Sequence, residues 1–130
     1  MNGSFQGLSE IGQINVPVRD TSRAVAFYRD VLGMTFLFRA QDLAFFDCGG
    51  VRLLLDGGAE ASGQTSSILY FRVDDIQGST GALRSRGVEI RSEPHLIAKM
   101  PDHDLWMAFF MDSEGNTMAL MAELHSSTSG

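Results

Sequence analysis

The chain has 130 residues, of which 44% are hydrophobic and 20% charged, a composition that fits one globular domain with a real hydrophobic core. A net charge of −6 and a pI of about 4.8, with the ten Lys and Arg scattered, exclude the clustered cations that nucleic-acid binding needs. The single cysteine, Cys48, excludes an intrachain disulfide, and no apolar run approaches the roughly eighteen residues of a membrane span.

The first ten residues, MNGSFQGLSE, carry neither a basic n-region nor an apolar h-region, so no signal peptide is expected and the cytoplasm is the default. Residues 1–8 and 125–130 are small and polar and are expected to be loose. Ile14, Val16 and Val18 alternate with Gln13, Asn15 and Pro17, which is the period of a strand. Asp20, Thr21 and Ser22 offer an N-cap. Ala24, Phe27, Tyr28 and Val31 then share one helical face, and Gly33 is placed to end the helix. Strands fit at 34–40, 43–47 and 51–56, the last two joined by the turn Asp47-Cys-Gly-Gly50. Cys48 in that turn reads as a small buried filler rather than a nucleophile.

A polar, glycine-bearing connector covers 57–66. Beyond it the plan repeats. A strand fits at 67–73, Asp74 and Asp75 are cap candidates, and a helix weakened by Gly78 and Gly81 covers 76–86 before Gly87. Strands follow at 88–92, about 105–111 and 117–122, with Asp112-Ser-Glu-Gly-Asn116 as the turn before the last. Val16-x-Val18-x-Asp20 superposes on Phe71-x-Val73-x-Asp75, and Phe46 before Gly50 on Phe110 before Gly115. The repeat defines an α+β fold class: two βαβββ modules, about 9–57 and 66–123, paired as a partly open barrel of two sheets around a cavity.

Gln13-Ile-Asn-Val-Pro-Val-Arg-Asp20 followed by Ala26-Phe-Tyr-Arg-Asp-Val-Leu-Gly33 resembles the opening of the vicinal-oxygen-chelate superfamily of glyoxalases, bleomycin-resistance proteins and extradiol dioxygenases. Leu69-Tyr-Phe-Arg-Val-Asp-Asp-Ile76 resembles the start of its second module, and Phe110-Met-Asp-Ser-Glu-Gly-Asn-Thr-Met-Ala-Leu120 its closing hairpin. The resemblance implies a divalent metal held from the first and last strands of each module. Carried onto this chain, those positions are Gln13, Leu53, Ile68 and Ala119. Only Gln13 has a donor atom, and a poor one, so the sequence argues against a metal cofactor.

If Gln13 faces the cavity, Asn15 does too, and in the second module so do Ile68, Tyr70 and Arg72. Gln13 and Asn15 read equally as a satisfied polar pair or as ligand contacts, and Arg72 as a solvated charge or a carboxylate or phosphate clamp. The stretch Glu93–Trp106 is long for a hairpin connection and carries His95 and His103. It reads as a surface loop, as a second metal site built from the two histidines and an Asp, or, the preferred reading, as a lid placing Trp106 over the cavity mouth. Trp106 is the only tryptophan, so its emission is expected to report ligand binding. Met121 shares the strand face of Ala119 and is expected to line the cavity.

Two functions remain open. One is a binding protein that sequesters a small organic ligand, aromatic or cationic, as the bleomycin-resistance branch implies. The other is a glyoxalase-like lyase, isomerase or epimerase using residues such as His103, Tyr70 or Gln13. A homodimer is expected, because each module leaves sheet edges and an apolar flank. Neither a nucleic-acid nor a membrane partner is expected.

Overall fold

In a computed structural model of the chain, residues 5, 7–58 and 67–125 are described. Most of the expected loose tails and of the 57–66 connector lies outside the described residues. The elements follow the expected order: β1 (Gln13–Pro17), α1 (Thr21–Ala26) continuing into a π-helical turn (Phe27–Val31), β2 (Thr35–Ala40), β3 (Leu43–Cys48) and β4 (Val51–Asp56). The second module has β5 (Leu69–Arg72), α2 (Ile76–Ser85), β6 (Ile90–Lys99), β7 (Asp104–Met111) and β8 (Thr117–Leu124). Among the described residues no helix is long and apolar enough to cross a membrane.

Each module forms one four-stranded mixed sheet, in the orders β1-β4-β3-β2 and β5-β8-β7-β6. The first and last strands of a module pair in parallel and the other neighbours antiparallel. The two sheets are not closed into a barrel, which is the partly open arrangement the repeat implies. The helices start alike. The Asp20 carboxylate accepts the Arg23 N–H at 3.0 Å and the Asp75 carboxylate accepts the Gly78 N–H at 2.9 Å, so these two of the candidate caps do the capping. Gly33 and Gly87 follow the helices at φ of +75° and +85°, the left-handed conformation that favours glycine.

The helices cover one face of each sheet. Val16, Val18, Tyr28, Phe46, Leu53 and Leu55 of module one join Ile76, Phe110, Met118 and Leu120 of module two in one continuous buried cluster. The opposite face of each sheet carries no helix.

The junction of the modules is also polar. The β7–β8 turn reaches across to the β1–α1 corner. There the Glu114 side chain, fully covered, accepts the Arg19 N–H at 2.8 Å, the Asp20 N–H at 2.9 Å and the Arg23 guanidinium at 2.8 Å. Asn116 Nδ2 donates to the Pro17 carbonyl at 2.9 Å, and the Tyr28 hydroxyl donates to Asp112 at 2.7 Å. Burial alone raises the Glu114 pKa, but the hydrogen bonds from Arg23, the Asp20 N–H, Ser113 and the Arg19 N–H outweigh it and hold the carboxyl at about 2. Burial and the neighbouring Asp112 push the Tyr28 phenol well above its ordinary value, so it stays protonated and remains a donor.

The second module departs from expectation in β6. The stretch expected to be a long connection continues the strand as far as Lys99 and reverses in a tight turn, with the Met100 N–H donating to the His103 carbonyl at 2.7 Å. Pro94 hides this strand in the sequence. It is tolerated because β6 is the sheet edge and its register slips between Ser92 and His95, where the ladder needs no N–H from Pro94. Residues 93–106 are accordingly strand and tight turn rather than a lid.

Candidate functional site

The helix-free faces follow from strand parity. On module one, Gln13 pairs with Arg52 and Asn15 with Leu54, and Phe45 of β3 pairs with Leu54. Leu53 is a correction to the sequence-based assignment: it pairs with Ile14 and is 1% exposed, inside the core under α1. The residues of β4 on the open face are Arg52 and Leu54. The run Leu53-Leu54-Leu55 conceals the alternation that would have set the register.

The same face of module one carries an aromatic pair. Phe38 and Phe45 stack with centroids 4.4 Å apart and planes 18° apart, and the Arg52 guanidinium lies 5.9 Å from the Phe45 ring centre. Phe38, Phe45 and Arg52 were missed in the sequence. A signal was present in Phe45-Phe46, because period two sends one phenylalanine to the core and the other to the open face.

On module two, Tyr70 and Arg72 lie on the helix-free face as expected, next to Met121, whose backbone pairs with Arg72 and Met107. Among the described residues the Arg72 side chain has no hydrogen-bond or ion-pair partner. Tyr70, Ala119 and Phe109 form one row across β5, β8 and β7. Strands two apart are separated by about 9.6 Å, twice the ladder spacing. The Tyr70 and Phe109 ring centres are nevertheless 6.0 Å apart, edge to face. The rings therefore lean together over the Ala119 methyl, and Ala119 is 0% exposed. The apolar floor is these two rings, not Ala119 itself.

The remaining candidates are not brought together. Trp106 pairs with Ala122 and packs against the core on the helix side, so it neither covers nor faces the open surface. His103 sits in the β6–β7 turn, its Nδ1 2.7 Å from Asp102, and its ring meets His125 with centroids 6.1 Å apart. His95 contacts the Glu93 carbonyl at 2.8 Å through Nδ1, from the middle of β6. Among the described residues no three His, Cys, Asp or Glu side chains cluster as a metal site would require.

The positions where the fold places metal donors thus present Gln13, Arg52 or Leu54, Ile68 and a roofed Ala119. One neutral amide beside a guanidinium and apolar groups does not fit a divalent ion, which needs several oxygen, nitrogen or thiolate donors converging on one point.

Two βαβββ modules with helix-free faces turned to solvent define a protein of the glyoxalase-like class. The chain belongs to the Glyoxalase/Bleomycin resistance protein/Dioxygenase superfamily, whose family model matches residues 10–120. It is 26% identical over 126 residues to the uncharacterized protein YraH of Bacillus subtilis (strain 168), covering 83% of this chain and 94% of that one. Among solved structures it resembles a lactoylglutathione lyase from Agrobacterium tumefaciens, with a TM-score of 0.73, 22% identity, and coverage of 90% of this chain and 96% of that one. It also resembles TnmS3, an antibiotic binding protein from Streptomyces sp. CB03234, with a TM-score of 0.72, 24% identity, and coverage of 92% and 99%.

Proposed function

We propose that this protein binds a small, flat organic molecule on its helix-free faces without a metal. The observation that carries this reading is the replacement of metal donors by aromatic rows: Phe38 and Phe45 with Arg52 on one sheet, Tyr70 and Phe109 closed over Ala119 on the other. Phe38 and Tyr70 are 49% and 45% exposed, so large apolar area waits to be covered. The antibiotic-binding role of one structural neighbour agrees with it. The net acidity favours cationic ligands only through a long-range field, and Arg52 and Arg72 on the face itself oppose that preference, so a neutral or anionic aromatic fits better. The lyase, isomerase or epimerase alternative rests on the family, and no arrangement among the described residues favours it.

The test combines metal content with binding. Purified protein should hold far less than one equivalent of Ni, Zn, Fe or Mn by elemental analysis. A neutral coumarin dye should bind saturably, and both Tyr70→Ala and Phe45→Ala should weaken it about tenfold. A tightly held metal in every chain, or unchanged dye affinity in both variants, would defeat the proposal.

We also propose a homodimer. β2 and β6 are unpaired sheet edges carrying exposed Leu37, Phe38, Leu96 and Ile97, the kind of surface that symmetric pairing covers. Light scattering giving only monomer at micromolar concentration would count against it.

A further inference from the structure

The two modules build the same corner with different fillings. In module two the terminal pair Met111–Thr117 is bridged by Asp112–Asn116, whose side chains plug the space beside α1. In module one the terminal pair Cys48–Val51 is bridged only by Gly49 and Gly50, and a Cβ added at either would meet nothing within 4 Å. The helices differ in the same sense. Counted from the caps, an offset of 75 − 20 = 55 places Ala82 opposite Phe27 and Leu83 opposite Tyr28. A truncated turn and smaller helix side chains together leave a cavity of about 430 Å³ between α2, β5, the 31–35 segment and the end of β3.

Its walls are mainly apolar, with Phe71, Val73, Leu83 and Phe110 among them, and its size falls in the range of small-molecule sites, about 300–1,000 Å³. Two charged residues line it, Arg86 and, at the end of β3, Asp47. Arg86 donates through Nη1 to the Val31 carbonyl at 2.7 Å, and among the described residues no carboxylate pairs with it. That bond fixes the guanidinium at the module junction and leaves further N–H donors free.

We propose that this cavity is a second ligand site, on the helix side of the sheets, for a compact apolar molecule with one anionic end. The apolar body fills the space that the β7–β8 turn fills in the other module, and the carboxylate or sulfonate pairs with Arg86. The cavity's sheet residues Phe71, Val73, Phe110 and Leu120 belong to the opposite surface of the sheet from Tyr70 and Arg72, while Cys48 and Phe71 also border a smaller cleft that Tyr70 lines.

The probe is 8-anilinonaphthalene-1-sulfonate, followed by its own fluorescence. Beside binding at the open faces, one saturable component that depends on Arg86 is expected on the wild-type protein. Arg86→Gln, which keeps a donor for the Val31 carbonyl, should weaken it about tenfold while changing the neutral N-phenyl-1-naphthylamine less than about twofold. Ala82→Phe, which copies the residue of the other helix, should remove the component held in this cavity for both dyes. Cys48, the only cysteine, lines both this cavity and the cleft beside Tyr70, so in the Tyr70→Ala protein bound sulfonate dye should still slow its alkylation by iodoacetamide, and adding Arg86→Gln should remove that protection. Tyr70→Ala, on the open face, should remove only the open-face component and leave the Arg86-dependent component intact, so failure of the open-face reading is a separate result. Saturable dye binding that neither depends on Arg86 nor protects Cys48, or no saturable binding at all, overturns the proposal.

Discussion

The two corners where the modules meet have the same ancestry of shape and opposite physical solutions. At one, a covered carboxylate, a buried phenol and an amide are satisfied by groups 84 to 99 residues away. At the other, two glycines make the tightest possible reversal, with φ of +62° and +91°, and leave a cavity. Stability is therefore concentrated at the sealed corner, and room for a ligand at the open one. A repeat fold can divide these tasks because each module contributes a corner, and only one is needed to lock the pair.

The largest expected effect is at the centre of the sealed corner. Asp112 accepts from the Tyr28 hydroxyl, the Asn116 side chain, and the Glu114 and Asn116 N–H groups, at 2.7 to 2.9 Å. Asp112→Ala leaves those buried donors without acceptors and should cost about 3–4 kcal/mol in urea unfolding. A cost below about 1 kcal/mol would mean that the polar network does not lock the modules.

Glu114→Gln comes next, at about 2 kcal/mol. The shift from an ordinary 4.5 to about 2 would correspond to somewhat more, but the partner Arg23 is 52% exposed and solvent screens it. The sign follows from the folded carboxyl lying below its unfolded value. This contribution is fully present above about pH 4.5 and is lost as pH falls toward 2. Wild-type protein should therefore lose stability through that window, and the Gln variant should lose less, which denaturant titrations at pH 6, 4 and 3 would show. Tyr28→Phe removes one donor from a carboxylate that keeps three others, so it should cost about 1–2 kcal/mol.

Much of this was legible in the sequence where the signal is local. Both capping aspartates, both terminating glycines, the succession of elements along the chain and the two short turns follow from period and turn chemistry. What was hidden is of three kinds. Leu53-Leu54-Leu55 erases the alternation, so in β4 alone the sequence leaves the open-face residue ambiguous and Leu53 falls one residue out of phase. Pro94 in an edge strand looks like the end of a strand, so the sequence shows β6 only as far as Ser92 and leaves 93–99 looking like a connection with Trp106 as a lid. The partners of Asp112, Glu114 and Asn116 are remote in the chain, so their turn was read as a hairpin and not as the lock between modules. Ala119 is a fourth case of partial sight: its place on the face was right, but nothing local shows that Tyr70 and Phe109 close over it.

The smallest effect is expected at the open corner, and it is the sharpest contrast. Asp47 is the last residue but one of β3 and Asp112 follows β7, and Asp47 too lies beside a module junction. Yet among the described residues its side chain accepts no hydrogen bond and forms no ion pair. Asp47→Ala should therefore change stability by less than about 0.5 kcal/mol, where the cut at Asp112 costs several times more. Asp47 does line the cavity opposite α2, and a carboxylate there repels an anionic end held by Arg86. Across solvent this repulsion is weak, so the variant should bind 8-anilinonaphthalene-1-sulfonate only about two- to threefold more tightly, and less so at high salt. A variant that unfolds readily would show that the short turn bears load after all, and the division between a locking corner and a receiving corner would fall with it.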